Sequence, residues 1–153
     1  MKITTVFKQE YITPELKAST KEEALSELAS VLPHLGFNYN SNSLVKILME
    51  REKLGSTGIG DGIAIPHGKL KGLDELLISF GRSKKGVLFD AMDGKPVHLF
   101  FLLIAPEHSS GEHLKALAKI SRMLKDDAFR KKLMEAKTQD NLYKIIAEKD
   151  DMG

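Results

Sequence analysis

The stretch Leu99 to Ala105 is the longest uninterrupted apolar run in the chain. A membrane-spanning helix needs about 20 such residues, so this run is far too short to cross a bilayer. It also lacks the polar alternation of a half-exposed strand, and reads as a strand buried on both faces. A strand of that kind needs cover on either side, and the flanking sequence supplies helices for it.

Thr20 with Glu23 has capping-box spacing, and Ala24, Leu25, Leu28, Ala29 and Leu32 follow in helical phase until Pro33 and Gly36. A second helix begins near Ser43, carries Leu44, Ile47 and Leu48 on one face, and ends at Gly55 with Arg51 in its last turn. Leu76 to Phe80 and Val87 to Phe89 read as strands, and the Asp93 and Gly94 pair turns the chain into the run Val97 to Ile104. The turn favours at least one antiparallel pair. After Pro106, Ser109 with Glu112 has capping-box spacing before Leu114, Leu117, Ala118, Ser121 and Leu124 in helical phase. Phe129 and Leu133 mark a fourth helix, and Leu142, Ile145 and Ile146, opened by Thr138, a fifth. The expected fold is one α/β domain over residues 1–153, with residues 1–10 and 150–153 peripheral.

Composition narrows the chemistry. There is no cysteine, so thiol nucleophiles, disulfides and cysteine-held metals are excluded, and chemistry falls to the five histidines, carboxylates and hydroxyls. Basic and acidic residues, 23 and 21, nearly cancel to a net charge of +2. That balance argues against a nucleic-acid partner. Met1 to Glu10 has lysines but no apolar stretch of signal-peptide length, so the expectation is a cytoplasmic protein without membrane insertion.

The informative segment is REKLGSTGIGDGIAIPHGK, Arg51 to Lys69. Its glycines at 58, 60 and 62 give GxGxG rather than the dinucleotide GxGxxG, and Gly68 with Lys69 lacks the rest of a P-loop. What remains is a loop of small residues holding His67 behind Pro66. Glycine-rich backbone can turn N–H groups toward an anion beside an imidazole. Arg51 falls in phase with Leu44, Ile47 and Leu48, so it points with the core-facing stripe and needs a partner; carboxylate or phosphate oxygens suit its fork of donors. His113, in the first turn of its helix, is expected to be a neutral imidazole, because a helix N-terminus disfavours the cation. His98 reads as a strand histidine, and His34 and His108 as loop residues. The spacing of His98, His108 and His113 matches no compact zinc signature.

These residues resemble the active-site signature of enzyme IIA domains of the bacterial phosphotransferase system, fructose and mannitol class, and among them the stand-alone nitrogen-regulatory form. The likeness continues through Phe89 to Val97 and Gly111 to Leu114. It implies a mixed central sheet flanked by helices, and a phosphoryl group received on His67 from the histidine-containing phosphocarrier protein. Arg51 matches the arginine near the phosphohistidine, and His113 the second histidine of the site. Gly55, Ser56, Thr57 and Gly58 are the expected phosphate-binding loop, with the Ser56 or Thr57 hydroxyls on phosphoryl oxygens. No metal or cofactor is expected. The partners implied are that phosphocarrier and either regulatory target proteins or a IIB domain in a sugar-transport relay.

Overall fold

A computed structural model describes residues 1–33, 41–109 and 111–153. A 3-10 turn at Ile3–Thr5 leads into β1 (Phe7–Thr13), then α1 (Lys21–Ser30) and α2 (Ser41–Lys53). The glycine-rich segment forms β2 (Gly58–Gly60), β3 (Ile63–Ala64) and β4 (His67–Leu70). Two long strands, β5 (Leu77–Val87) and β6 (Val97–Pro106), are followed by α3 (Gly111–Lys125), α4 (Asp127–Glu135) and α5 (Gln139–Asp151). The sheet is mixed, in the order β1-β5-β6-β3-β2, with β4 also on β6. β5 and β6 are antiparallel, whereas β1 runs parallel to β5, and β3 and β4 run parallel to β6.

The apolar run is buried on both faces. Leu99, Phe101, Leu103 and Ala105 pack into the core beneath α3, α4 and α5. Phe100, Leu102 and Ile104 pack into a second core with α1 and α2. Three layers result, and period-two alternation along β6 assigns its residues to them.

The Thr20 capping box forms, with Thr20 Oγ1 accepting from the Glu23 N–H and the Glu23 carboxylate accepting from the Thr20 N–H. Thr138 caps α5 through the Asn141 N–H. Ser109 does not open α3: its N–H donates to the Pro106 carbonyl in a turn after β6, and the helix starts at Gly111. Its buried stripe is also one residue out of the expected phase. His113, Ala116, Ile120, Met123 and Leu124 face inward, and Leu114 is 63% exposed. Leu77 to Phe80 and Val87 belong to one long strand, β5, whose register shifts between Arg82 and Val87, and Leu76 lies just before it.

The termini are not peripheral. Ile3 and Phe7 are fully buried, and Phe7 stacks on Tyr143 and tilts against Phe101. Asp150, in the last turn of α5, accepts from the N–H groups of Ile3 and Thr4 at 3.1 Å and pairs with Lys119 at 2.6 Å. Lys119 also donates to the Met1 carbonyl, so the two chain ends are clasped through one buried ion pair.

Candidate functional site

Residues 58–64 form a β-hairpin, and this explains the glycine density that resembled a nucleotide loop. Gly60 pairs with Ile63, leaving Asp61 and Gly62 as a two-residue turn with φ of 56° and 76°. Both angles are left-handed, as a type I′ turn requires, and Asp-Gly is its preferred pair. The returning strand then runs along β6 past Pro66, whose carbonyl accepts from the Leu103 N–H, and β4 opens at His67 opposite Leu103.

Alternation along this strand places the histidine. Ile63 and Ile65 belong to the core under α3–α5, and His67 and Lys69 continue that row by the period of two. Gly68 faces the other layer, where a Cβ would stand 3.3 Å from Ile47 and 3.4 Å from Leu48 of α2. His67 is therefore the point where a buried apolar row emerges at the surface. It is half-buried, and its Nδ1 lies 2.9 Å from the carbonyl oxygen of Ile65. A carbonyl only accepts, so Nδ1 carries the proton and Nε2 holds the lone pair.

His113 stands against it from the first turn of α3, the two ring centroids 5.4 Å apart and tilted by 56°. It is 93% buried, with a relative exposure of 7%, and its Nδ1 is enclosed with no hydrogen-bond partner. Burial holds its pKa below the ordinary 6.5, and the nearby positive charge of Lys69, with that of His67 when protonated, pushes in the same direction. A neutral imidazole with one N–H to donate results. Lys69, which sequence reasoning treated only as a failed P-loop residue, is exposed on the same strand face as His67 and contributes a positive field. Its spacing of two from His67 was the available signal.

Arg51 is half-buried at the end of α2, one turn beyond Ile47, and donates from Nη1 to the Gly55 carbonyl at 2.9 Å. Among the described residues it has no carboxylate partner. The buried acid is its neighbour Glu52, at 6% exposure, which continues the Val45 and Leu48 stripe. Glu52 accepts from both the N–H and the hydroxyl of Thr57 and pairs with Lys21 at 3.1 Å. Lys21 in turn lies 4.8 Å from the centre of the Phe89 ring.

That network changes the role of the loop. The Ser56 hydroxyl donates to the Phe89 carbonyl and accepts from the Gly58 N–H, the Thr57 donors are taken by Glu52, and the Gly55 N–H donates to the Glu52 carbonyl. The Ser56 and Thr57 hydroxyls expected on phosphoryl oxygens are committed to internal acceptors. In this conformation Gly55 to Gly58 shape the wall beside Arg51 instead of presenting those hydroxyls to an anion.

The structure thus brings His67, His113 and Lys69 together and places Arg51 and its loop on the adjoining helix end. His98 stands apart at the start of β6, His108 is exposed in the turn after β6, and His34 lies outside the described residues. Among the described residues no cluster of three or more histidines and carboxylates is arranged to hold a metal ion, and no helix is long and apolar enough to cross a membrane.

The family model for the phosphoenolpyruvate-dependent sugar phosphotransferase system, EIIA 2, matches residues 5–149. A nitrogen regulatory protein of Bradyrhizobium diazoefficiens is 43% identical over 147 residues, 96% of this chain and 95% of that protein. The fructose-specific EIIABC component of Bacillus subtilis is 37% identical over 150 residues, which are 98% of this chain but 24% of that longer protein. The crystal structure of nitrogen regulatory protein IIA-Ntr from Neisseria meningitidis matches with a TM-score of 0.87 at 33% identity, covering 94% of this chain and 98% of that one.

Proposed function

The chain belongs to the EIIA 2 family of the phosphoenolpyruvate-dependent sugar phosphotransferase system, and we propose that it carries a phosphoryl group on Nε2 of His67, received from the histidine-containing phosphocarrier protein. The observation that carries this reading is the Nδ1 contact to the Ile65 carbonyl, which leaves Nε2 as the nucleophile. The incoming phosphorus binds Nε2 as its bond to the donor imidazole breaks, and that bond pair returns to the donor ring. The proton stays on His67 Nδ1, donated to the Ile65 carbonyl, so the phosphorylated ring is cationic beside a dianionic phosphoryl group.

Phosphoryl transfer relies chiefly on positioning and charge stabilisation. His113 donates its N–H to a phosphoryl oxygen, Arg51 supplies a guanidinium at the loop end, and Lys69 supplies a further positive charge from the same strand face. Leu114 and Leu54, 63% and 85% exposed beside His113 and beyond Arg51, offer apolar contact to a docking protein. The output is regulatory: about two negative charges added at His67 change what can dock there. The nitrogen regulatory relative, alike over nearly its whole length, supports this.

Incubation with labelled phosphoenolpyruvate and the upstream phosphocarrier chain should give acid-labile label on the native protein. Label of equal amount on His67→Ala would sink the assignment. The second reading, a sugar-specific component passing phosphate to a IIB domain, is favoured by the likeness to the fructose-specific EIIABC component. Transfer of label from the charged protein to a fructose-type IIB domain separates it from the regulatory reading.

A further inference from the structure

A second histidine is built in as firmly as His67, at the opposite end of the β3–β4 row. His98, half-buried at the start of β6, has its Nδ1 2.8 Å from the Ser83 carbonyl, so its Nε2 is an acceptor. Two left-handed glycines flank the ring. A Cβ at Gly86 would come within 3.0 Å of Cε1, and one at Gly62 within 3.5 Å of Cδ2, so larger residues would crowd the imidazole.

His98 lines a cleft of about 310 Å³ between the β2–β3 hairpin and α4. This is the lower end of the size range of small-molecule sites, roughly 300–1,000 Å³. Asp61, at the hairpin tip, is held by its N–H to the Asp93 carboxylate. Arg130 and Lys131 line the cleft from α4; Arg130 is fixed by bonds to the Leu124 carbonyl and Asp127. Leu99 and Met134 supply apolar wall.

The chemistry is that of a neutral ligand bearing both signs. Asp61 and Asp127 balance Arg130 and Lys131, so an inorganic anion meets two carboxylates and a simple amine meets two cations. The fixed imidazole acceptor requires a donor on the ligand. We propose that this cleft binds a free α-amino acid with an apolar side chain as its zwitterion: the carboxylate toward Arg130 and Lys131, the ammonium donating to His98 Nε2 and Asp61, and the side chain on Leu99 and Met134. The proposal is independent of phosphoryl transfer at His67.

The test is a heteronuclear NMR titration of the full chain with L-leucine and with L-methionine. Two analogues lacking one charge, 4-methylpentanoate and 3-methylbutylamine, complete the series. Saturable shifts at Asp61, His98 and Lys131 are expected, with a Kd tighter than about 1 mM for at least one of the two amino acids. Both analogues of leucine should bind at least tenfold more weakly than the amino acid. Lys131→Glu, an exposed position that leaves the core intact, should weaken binding at least tenfold, as should His98→Phe. No saturable shift with either amino acid, shifts confined elsewhere, or equal binding by an analogue would overturn the proposal; the last would make the cleft an apolar groove without charge recognition.

Discussion

His67 and His98 are alike in the property most often taken as the mark of a nucleophilic histidine. Each is half-buried, His67 on β4 beside β6 and His98 on β6 itself; each directs Nδ1 to a main-chain carbonyl, at 2.9 and 2.8 Å, and each thereby holds its lone pair on Nε2. They differ in what surrounds that lone pair. His67 has the His113 imidazole against it and Lys69 on the same strand face, with Arg51 at the end of the adjoining helix α2, whereas the His98 cleft sets Asp61 and Asp127 against its two cations. A phosphoryl group brings about two negative charges, which favour the first setting and are repelled by the carboxylates of the second. The fixed tautomer is thus shared by two histidines of this chain, and the surrounding charge is what differs between them.

The largest expected effect separates the two histidines outright. His67→Ala should lose acid-labile label from the phosphorelay, and His98→Ala should keep it; loss of label in both folded variants would show that the surrounding charge does not set the two histidines apart. Charge reversal sharpens the same point. Lys69→Glu should slow phosphoryl transfer at least tenfold, a barrier increase of about 1.4 kcal/mol, and Lys131→Glu at the other cleft should leave the rate within a factor of two. Equal slowing by both would reduce the effect to net charge and not position.

A smaller effect falls on stability. Glu52→Ala removes the acceptor of both Thr57 donors and the partner of Lys21. Leaving buried donors unpaired should cost about 2 kcal/mol in urea unfolding. Glu52→Gln should restore part of that, and an unchanged midpoint for the alanine variant would show that the loop beside Arg51 does not depend on this network.

How far these features could be read from sequence follows from the range of the interaction involved. The β6 run needed only its own residues, and Thr20 and Thr138 announce their helices through contacts three residues away. His67, Arg51 and His113 were singled out from local signals, but their association is a product of β4, α2 and α3 meeting. The α3 stripe was misphased because leucines at 114 and 117 outweighed His113 and Ala116, and only the position of His67 explains why a histidine takes the inward place. β1 went unrecognised since Lys8, Gln9 and Glu10 interrupt its apolar pattern, as suits an edge strand with a solvated side. The Ser56 and Thr57 hydroxyls looked available because their acceptors, Phe89 and Glu52, lie on other elements.

The His113 environment carries the finest test. Its folded pKa lies below 6.5, first through burial and then through the charges of His67 and Lys69. Well above 6.5 the ring is neutral in both folded and unfolded chains, and it adds no pH dependence to stability. Between 6.5 and the folded value the unfolded chain binds a proton that the folded chain refuses, so stability falls as the pH falls through that window. The slope is bounded at one proton, about 1.4 kcal/mol per pH unit. Urea unfolding at a series of pH values should show this loss, and His113→Gln should flatten it. Lys69→Ala should move the His113 ring titration, followed by NMR, upward toward 6.5, since one of the charges opposing protonation is gone. A ring in the native protein that titrates at or above 6.5 would remove the neutral donor from the site and leave Arg51 and Lys69 to stabilise the phosphoryl oxygens by charge alone.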